Sequence, residues 1–458
     1  MSPEVIVVGG GFTGTAFAAA MAAKGARVQV FEGSPSTITA FRGELIHPRG
    51  VRALDSLGLK EPLFAAGGVP VSGFAVTPGA DRPAVLLPYG EDRGPGLGID
   101  HPAMVLAMRR AVSERQNVSI TVGERIVDFA REGERIVGVK KADGTVVKAD
   151  LVVVADGRAS KLRPLLGLDP RIRLLSYTIA VGVKGNLLPH AAYGHVFLGG
   201  PGPILAYPYG DGLARFCIDL PVGLAKGNDA IVAVLKKDYA PFVPSPLREA
   251  LVQVLETEAF EACATHSIST YACAAPGVAL IGDAAGCGHP LTASGMTNAM
   301  NDVLALAELV ATQGPTDRAL EQYQRRRYDF IRMRELFTDA LYEVFRGHDQ
   351  GSKSLQAGIF RYWAGSERSR TASMDILSGE ELRTSRFVVE YSRVFGLSAL
   401  DLLEGIAREP DFAEGSRKIR SLMATSFGRM EDVVERTARK VVDRYRLKLH
   451  RGQSQASP

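Results

Sequence analysis

A glycine-rich turn between an apolar strand and an alanine-rich helix restricts the fold of this 458-residue chain more than any other feature. Residues 5–8 are a β-branched run, VIVV, and the sequence GGGFTG follows it at residues 9–14. Residues 12–24 are rich in alanine and predict a helix, and residues 27–32 predict a second strand. The order of strand, glycine turn, helix and strand predicts a βαβ unit that opens an α/β domain.

The glycines of this turn occupy the GxGxxG frame of a dinucleotide-binding motif. Gly9 allows the tight turn, Gly11 lets a pyrophosphate approach the backbone, and Gly14 lets the helix pack on the strand. The helix that begins near Phe12 and Thr13 directs its positive end at the phosphates. These five residues are therefore predicted to form the cofactor-binding turn of a Rossmann-like domain.

An acidic residue ends the second predicted strand. Glu32 lies 18 residues after Gly14, where a carboxylate can accept hydrogen bonds from both ribose hydroxyls of an adenosine. The same carboxylate would repel a 2′-phosphate, so this motif disfavours NADP. On this motif alone, NAD and FAD both remain open.

A second motif lies in the middle of the chain. Residues 151–155 predict a buried strand, and it runs directly into Asp156 and Gly157. An ordinary Asp-Gly turn is the alternative interpretation of this pair.

A third motif follows another buried strand, predicted at residues 278–281. Gly282 and Asp283 leave that strand among small residues, which suits the binding of a polyol such as a ribityl chain. The sequence HPLTASGM follows at residues 289–296, and a helix is predicted over 296–312. A helix starting near Gly295 would direct its backbone N–H groups at the pyrimidine edge of a flavin and stabilise the anion formed there on reduction.

The three motifs, in this order and spacing, resemble the FAD-dependent monooxygenases of the para-hydroxybenzoate hydroxylase type. The resemblance covers residues 4–312 and implies that FAD is the cofactor, that NAD(P)H is the electron donor, and that reduced flavin and O₂ form a C4a-hydroperoxide. With the glycine motif, it gives as candidate FAD-binding residues Gly9, Gly11, Phe12, Thr13, Gly14, Glu32, Arg42, Arg109, Asp156, Gly157, Gly282, Asp283, Pro290, Gly295 and Met296. In that set, Arg42 and Arg109 are expected to contact the FAD phosphates, because Ala103 stands where the family usually has an arginine.

A closer resemblance is to the squalene monooxygenase (squalene epoxidase) branch of these enzymes. It is carried by GELIHPRGV at residues 43–51, HPLTASGMT at 289–297 and LSG at 377–379, and it extends to about Ala399. In that branch a tyrosine and a glutamine pair near the flavin. Tyr89 matches the tyrosine, whereas His47 stands where the glutamine is expected. His47 and Tyr89 are the candidate catalytic residues, as a base for a phenolic substrate; a purely structural role is the alternative for His47.

The expected domain organisation follows the motifs. Residues 1–70, 99–170 and 277–315 are predicted to form a discontinuous FAD-binding domain. Residues 71–98 and 171–276 contain short strand patterns with Pro and Gly between them, which predict an interleaved β-sheet substrate domain. Residues 316–458 have few glycines and many charges and predict a helical C-terminal region.

The function expected from these features is that of an FAD-dependent monooxygenase. It would insert one oxygen atom of O₂ into a lipophilic isoprenoid or prenylated aromatic substrate, by epoxidation or hydroxylation. The alternatives are a prenyl double-bond reductase that resembles geranylgeranyl reductases and, from another class, a regulatory flavin-binding protein. The sequence has one dinucleotide motif, so NAD(P)H is expected to bind transiently or to donate electrons through a separate reductase.

The net charge and the cysteine pattern of the chain allow predictions about its partners. Lys and Arg number 54 against 50 Asp and Glu, a net charge of +4 that argues against nucleic acid as a partner. The four cysteines form no CxxC pair, so no metal site is predicted.

A strand begins within a few residues of Met1 and no apolar run is long enough for a membrane span, which predicts a cytoplasmic protein. Residues 429–451 have eight basic and four acidic residues along an apolar stripe, which predicts a helix either on an anionic membrane surface or packed on its own domain.

Overall fold

A computed structural model describes residues 2–36, 44–79, 82–168, 170–270, 272–408 and 417–426. Arg42 and residues 429–451 lie outside these ranges, and so do the predictions made for them. The strands are β1 (Glu4–Val8), β2 (Arg27–Glu32), β3 (Leu45–Ile46), β4 (Val69–Val71), β5 (Gly73–Thr77), β6 (Val85–Pro88), β7 (Gly96–Gly98), β8 (Val118–Val122), β9 (Ile126–Glu132), β10 (Arg135–Lys141), β11 (Val146–Lys148), β12 (Leu151–Val154), β13 (Arg171–Lys184), β14 (Tyr193–Phe197), β15 (Ile204–Gly210), β16 (Leu213–Pro221), β17 (Glu261–Ser269), β18 (Ala274–Ala275) and β19 (Val278–Leu280). The α-helices are α1 (Phe12–Ala23), α2 (Pro48–Ser56), α3 (Lys60–Ala65), α4 (His101–Ser113), α5 (Asn228–Val234), α6 (Leu247–Thr257), α7 (Gly295–Gln313), α8 (Asp317–Arg346), α9 (Gln350–Gly365), α10 (Glu367–Ser378) and α11 (Thr384–Arg408).

A six-stranded sheet in the order β18-β19-β12-β1-β2-β8 contains the predicted βαβ unit. β1 pairs in parallel with β2 and β12, and β12 pairs in parallel with β19. Every residue of β12 and β19 is buried, as expected of parallel strands that are covered on both faces. The carboxyl ends of β1, β12 and β19 therefore lie side by side, and each of them leads into one of the three motifs.

A seven-stranded sheet in the order β17-β13-β16-β15-β14-β5-β6 forms the second layer. Its side chains alternate between two environments, because successive residues of a strand point to opposite faces. On β16, Phe216 and Ile218 are buried in a cluster with α5 and α6, whereas Cys217 and Asp219 line a cavity on the other face. The sheet thus separates a packed core from the cavity.

The helices after residue 315 cover the cavity face of this sheet. α8 is 30 residues long and contacts α7 and α9. Tyr342 and Phe345 of α8 are buried in one cluster with Tyr362 of α9 and with Leu205 and Tyr207 of β15. Among the described residues, no helix combines the length and the hydropathy needed to cross a bilayer.

The α/β fold predicted from the sequence is confirmed, with one addition. The region 171–276, interpreted as strand-rich, also contains α5 and α6. Leu247, Leu251 and Leu255 of α6 recur every four residues and are buried against the sheet, so the helix is held there by an apolar stripe.

Candidate functional site

A cavity of about 1060 Å³ joins the two sheets. At one end it is lined by Gly11 and Glu32 from the first βαβ unit and by Asp156 and Asp283 at the ends of β12 and β19. At the other end it reaches Leu205 and its neighbours on the seven-stranded sheet. The predicted site residues that line it are Gly9, Gly11, Phe12, Thr13, Glu32, Arg109, Asp156, Gly157, Gly282, Asp283, Pro290, Gly295 and Met296.

The glycines of the turn differ in the space around them. Gly9 has φ +106°, and a Cβ built on it would lie 2.4 Å from the Ala155 carbonyl oxygen. A Cβ on Gly14 would lie 1.9 Å from the carbonyl oxygen of Gly9. Around Gly11, by contrast, a Cβ would meet no atom within 4 Å, and this residue faces the cavity. Gly9 and Gly14 are thus required by the fold, and Gly11 leaves open space for a ligand.

Glu32 and Arg109 form an ion pair at the end of the cavity that the first βαβ unit lines. The Glu32 carboxylate accepts hydrogen bonds from the Gly10 and Ser34 N–H groups, at 2.9 and 2.8 Å, and from Arg109 Nη2 at 3.0 Å. Arg109 Nε donates to the Gly10 carbonyl oxygen at 2.5 Å. Burial lowers the pKa of Arg109 although Glu32 opposes it. The arginine predicted to contact phosphate is therefore anchored to the acid predicted to contact ribose.

Asp156 has a buried acceptor without a partner. Its Oδ2 accepts the Lys161 N–H at 3.0 Å, whereas Oδ1 is buried and has no hydrogen-bond partner. Burial raises the pKa of this carboxyl. Because an unpaired buried acceptor is costly, Oδ1 at the cavity wall suits a ligand that donates a hydrogen bond.

The third motif is fixed by a buried ion pair. The Gly282 N–H donates to Asp302 Oδ2 at 2.9 Å, and Arg327 Nε donates to the same oxygen at 3.1 Å. A Cβ on Gly282 would lie 2.7 Å from Thr13 Oγ1, so the first and third motifs touch. The site prediction did not include Asp302 or Arg327, since nothing in their local sequence indicates that they meet.

Helix α7 begins at Gly295 with its N-terminus at the cavity, where Gly295 and Met296 form part of the wall. The loop before it is held by His289, whose Nδ1 accepts the Leu291 N–H at 3.1 Å. Nε2 of His289 must then carry the proton and donate to Asp219 Oδ1 at 3.0 Å. His289 therefore ties the loop at residues 289–293 to strand β16.

His47 and Tyr89 meet behind this loop. Both side chains are buried, and His47 Nδ1 lies 2.7 Å from the Tyr89 hydroxyl oxygen. Nε2 of His47 lies 2.8 Å from the Thr292 carbonyl oxygen. Burial lowers the pKa of His47 to about 4, so the ring is neutral at pH 7. Neither side chain is part of the cavity wall.

A second buried ion pair lies at the sheet end of the cavity and was not predicted. Glu44 accepts two hydrogen bonds from Arg215, from Nε and Nη2, both at 2.8 Å. Tyr207 donates its hydroxyl hydrogen to the same carboxylate at 3.3 Å. Desolvation raises the pKa of Glu44 against the opposing effect of Arg215. Glu44, Tyr207 and Cys217 form part of the cavity wall, so the sheet end of the cavity includes this polar group.

Among the described residues, no group of three or more His, Cys, Asp or Glu side chains has an arrangement that could hold a metal ion. The four cysteines are free thiols, and burial raises the pKa of Cys217, Cys273 and Cys287 to about 12. These three thiols are therefore protonated at neutral pH.

Comparison with known proteins places the chain in a family. The squalene epoxidase family profile matches residues 148–403, more than half of the chain. Squalene epoxidase erg1 of Aspergillus fumigatus is 29% identical over 381 residues, which cover 79% of each chain. The mitochondrial squalene epoxidase 2 of Arabidopsis thaliana is 27% identical over 440 residues, which cover 93% of this chain and 75% of that one.

The fold agrees with solved structures. The crystal structure of Klebsiella pneumoniae HpxO complexed with FAD and uric acid superposes with a TM-score of 0.69 at 23% identity, covering 82% of this chain and 96% of HpxO. The resemblance stated from the motifs is thereby confirmed, since the family match includes the second and third motifs and continues into the C-terminal helices. This chain belongs to the squalene epoxidase family.

Proposed function

We propose that this protein is an FAD-dependent monooxygenase that inserts one oxygen atom of O₂ into a lipophilic isoprenoid or prenylated aromatic substrate. The observation that carries the proposal is the cavity that runs from the dinucleotide-binding turn to the seven-stranded sheet. One continuous chamber can hold a dinucleotide against the first sheet and an apolar substrate against the second. Squalene epoxidases related to this chain support the substrate class.

The residues at the dinucleotide end fit FAD. The open space at Gly11 suits a pyrophosphate, and the unpaired Oδ1 of Asp156 suits a hydroxyl donor. The N-terminus of α7 at Gly295 suits the electron-rich edge of a flavin. When bound, reduced FAD would supply the redox chemistry by activating O₂ for transfer of one oxygen atom.

The side chains around the other end exclude water and position the reacting groups. Leu45, Leu205, Leu291 and Ile331 are apolar parts of the wall, and a dry chamber protects a reactive oxygen donor from hydrolysis. His47 holds the Thr292 carbonyl through Nε2–H, so it acts as a positioning residue for the loop. Because both ring nitrogens are engaged and the ring does not face the cavity, His47 is not proposed as the base that the sequence suggested.

Tyr89 is likewise proposed as a positioning residue. Its hydroxyl donates to His47 Nδ1, and burial raises its pKa well above the usual value. Epoxidation of an alkene needs neither of these groups as a proton acceptor. The electrons come from NAD(P)H, either directly or through a separate reductase.

The proposal is tested by loading the purified protein with FAD and following product formation from farnesol and a prenylated phenol with NADPH or NADH, with and without a reductase. We expect one FAD to be bound per protein chain and a product that forms in air but not under argon. A protein that retains no flavin, or a product that forms equally under argon, would overturn it. Anaerobic formation of a product two hydrogens heavier would instead indicate a double-bond reductase.

A further inference from the structure

Several charged side chains in the cavity wall form ion pairs with a neighbouring side chain. The ion pairs are Glu32–Arg109, Glu44–Arg215 and Asp302–Arg327, and Asp219 accepts a hydrogen bond from His289 Nε2. Arg334 of α8 lies in the same wall. In the described part of the chain it has no carboxylate within ion-pair distance, although its side chain is buried, with 3% of the residue exposed.

The contacts of Arg334 leave most of its donors unused. Nη1 donates to the Ile376 carbonyl oxygen, and Nη2 donates to that of Leu377 at 3.1 Å. Nε is buried and has no partner. A guanidinium has five N–H donors, so three of them are not accounted for by these contacts. The two carbonyls end helix α10 and offer only the partial negative charge of a helix C-terminus.

The surroundings of Arg334 are those of a binding chamber. Ile331 and Thr338 lie three residues before it and four residues after it, on the same face of α8, and both line the cavity. Burial alone lowers the pKa of Arg334 to about 10. The group is therefore still a cation at neutral pH, and no nearby carboxylate opposes its desolvation.

We propose that Arg334 binds an acidic oxygen of the substrate, as found in an ionised phenol, an enolate or a carboxylate on a lipophilic body. A pure hydrocarbon would leave the buried cation uncompensated, whereas an anionic oxygen would take up the unused N–H donors in charge-assisted hydrogen bonds. The inference rests on the proposed function, since it names the substrate class of the same cavity. Neither His47 nor Tyr89 is proposed as a base for the substrate. Arg334 makes such a base unnecessary, because it binds the substrate in an already ionised form.

The first test compares three ligands that share one isoprenoid chain: farnesoic acid, methyl farnesoate and farnesol. Binding to the FAD-loaded protein is measured by equilibrium dialysis and by the change in flavin absorbance. We expect farnesoic acid to bind about tenfold or more tightly than its methyl ester at pH 7.5. Equal affinities for the acid and the ester in the wild-type protein would overturn the proposal, and this comparison needs no variant.

The second test removes the charge. Arg334→Gln should abolish the preference for the acid over the ester, and Arg334→Lys should keep part of that preference. Arg115→Gln is the matched control, because Arg115 also donates to two carbonyl oxygens, of Ala19 and Leu57, both at 2.6 Å, but is not in the cavity wall. If Arg334 only caps α10, Arg334→Gln will lose stability as Arg115→Gln does and keep the ligand preference, which contradicts the proposal.

The outcomes separate this inference from the proposed function. Oxygen-dependent turnover of farnesol and methyl farnesoate, with no preference for farnesoic acid, would remove the role of Arg334 and leave the monooxygenase intact. A protein that binds none of the three compounds and consumes no O₂ would contradict both.

Discussion

His47 Nδ1 lies 2.7 Å from the Tyr89 hydroxyl, and its Nε2 lies 2.8 Å from the Thr292 carbonyl oxygen. A carbonyl can only accept, so Nε2 carries the ring proton and Tyr89 donates to Nδ1. A neutral imidazole therefore presents one donor and one acceptor, as a glutamine amide does. This equivalence explains how histidine can stand at the position where the resemblance leads one to expect glutamine.

Removing the tyrosine hydroxyl should cost stability. Tyr89→Phe leaves the buried Nδ1 of His47 without a donor, for which we expect a loss of about 1–3 kcal/mol in the free energy of unfolding. His47→Gln should cost less, because an amide can satisfy both partners. Urea denaturation of the two variants checks this, and a Tyr89→Phe protein as stable as the wild type would contradict the hydrogen-bond assignment.

His47 should also make stability depend on pH. Its pKa is lowered to about 4 in the folded chain, against about 6.5 when unfolded. The unfolded state therefore binds the proton first, so the stability present above pH 6.5 is lost as the pH falls from 6.5 towards 4, by about 1.4 kcal/mol per pH unit.

His195 has the same lowered pKa of about 4 and provides the control. His47→Gln should reduce the slope of the unfolding free energy against pH by the contribution of one proton. The contribution of His195 to that slope should remain. Urea denaturation at pH 7, 6 and 5 measures both slopes, and an unchanged slope in His47→Gln would show that the ring is not buried in its neutral form.

Gly11 should be required for FAD binding and not for the stability of the fold. We expect Gly11→Ala to keep the wild-type unfolding temperature, since a Cβ there meets no atom within 4 Å, and to weaken FAD binding by about tenfold or more. Gly365→Ala is the control, as Gly365 also has no neighbour within 4 Å but lies at the end of α9. Calorimetry measures the unfolding temperature of each variant, and equilibrium dialysis measures its affinity for FAD. Unchanged FAD affinity in Gly11→Ala would contradict the assigned binding turn.

The Glu44–Arg215 pair should show strong coupling. Arg215→Met leaves a buried carboxylate unpaired, which should cost about 3–5 kcal/mol, whereas the double variant with Glu44→Met should recover most of that loss. A double-mutant cycle by chemical denaturation measures the coupling energy. Additive single effects would mean that the carboxylate is solvated.

The nucleotide-binding half of the fold could be predicted because its signals are local. The predicted strand at residues 27–32 has the bounds of β2, and the helix predicted over 296–312 differs from α7 by one residue at each end. Helices α5 and α6 were missed because each is short and lies within a run of strands. The stripe of Leu247, Leu251 and Leu255 was the signal available for α6.

The ion pairs Glu44–Arg215 and Asp302–Arg327 could not be predicted, because tertiary packing alone brings their members together. Arg215 meets Glu44 across 171 residues, and Arg327 meets Asp302 from the next helix. Arg327 and Arg334 belong to an arginine-rich segment that has the composition of a solvated helix face. Only the structure shows that both are buried.

A single-turnover experiment shows whether this chain transfers oxygen from O₂ to a lipophilic substrate. The FAD-loaded protein is reduced under argon, mixed with farnesoic acid or farnesol, and then exposed to ¹⁸O₂, and the products are weighed by mass spectrometry. We expect a product with one ¹⁸O atom. An unlabelled product two hydrogens heavier than the substrate, or reoxidation of the flavin with no change in the substrate, would contradict it.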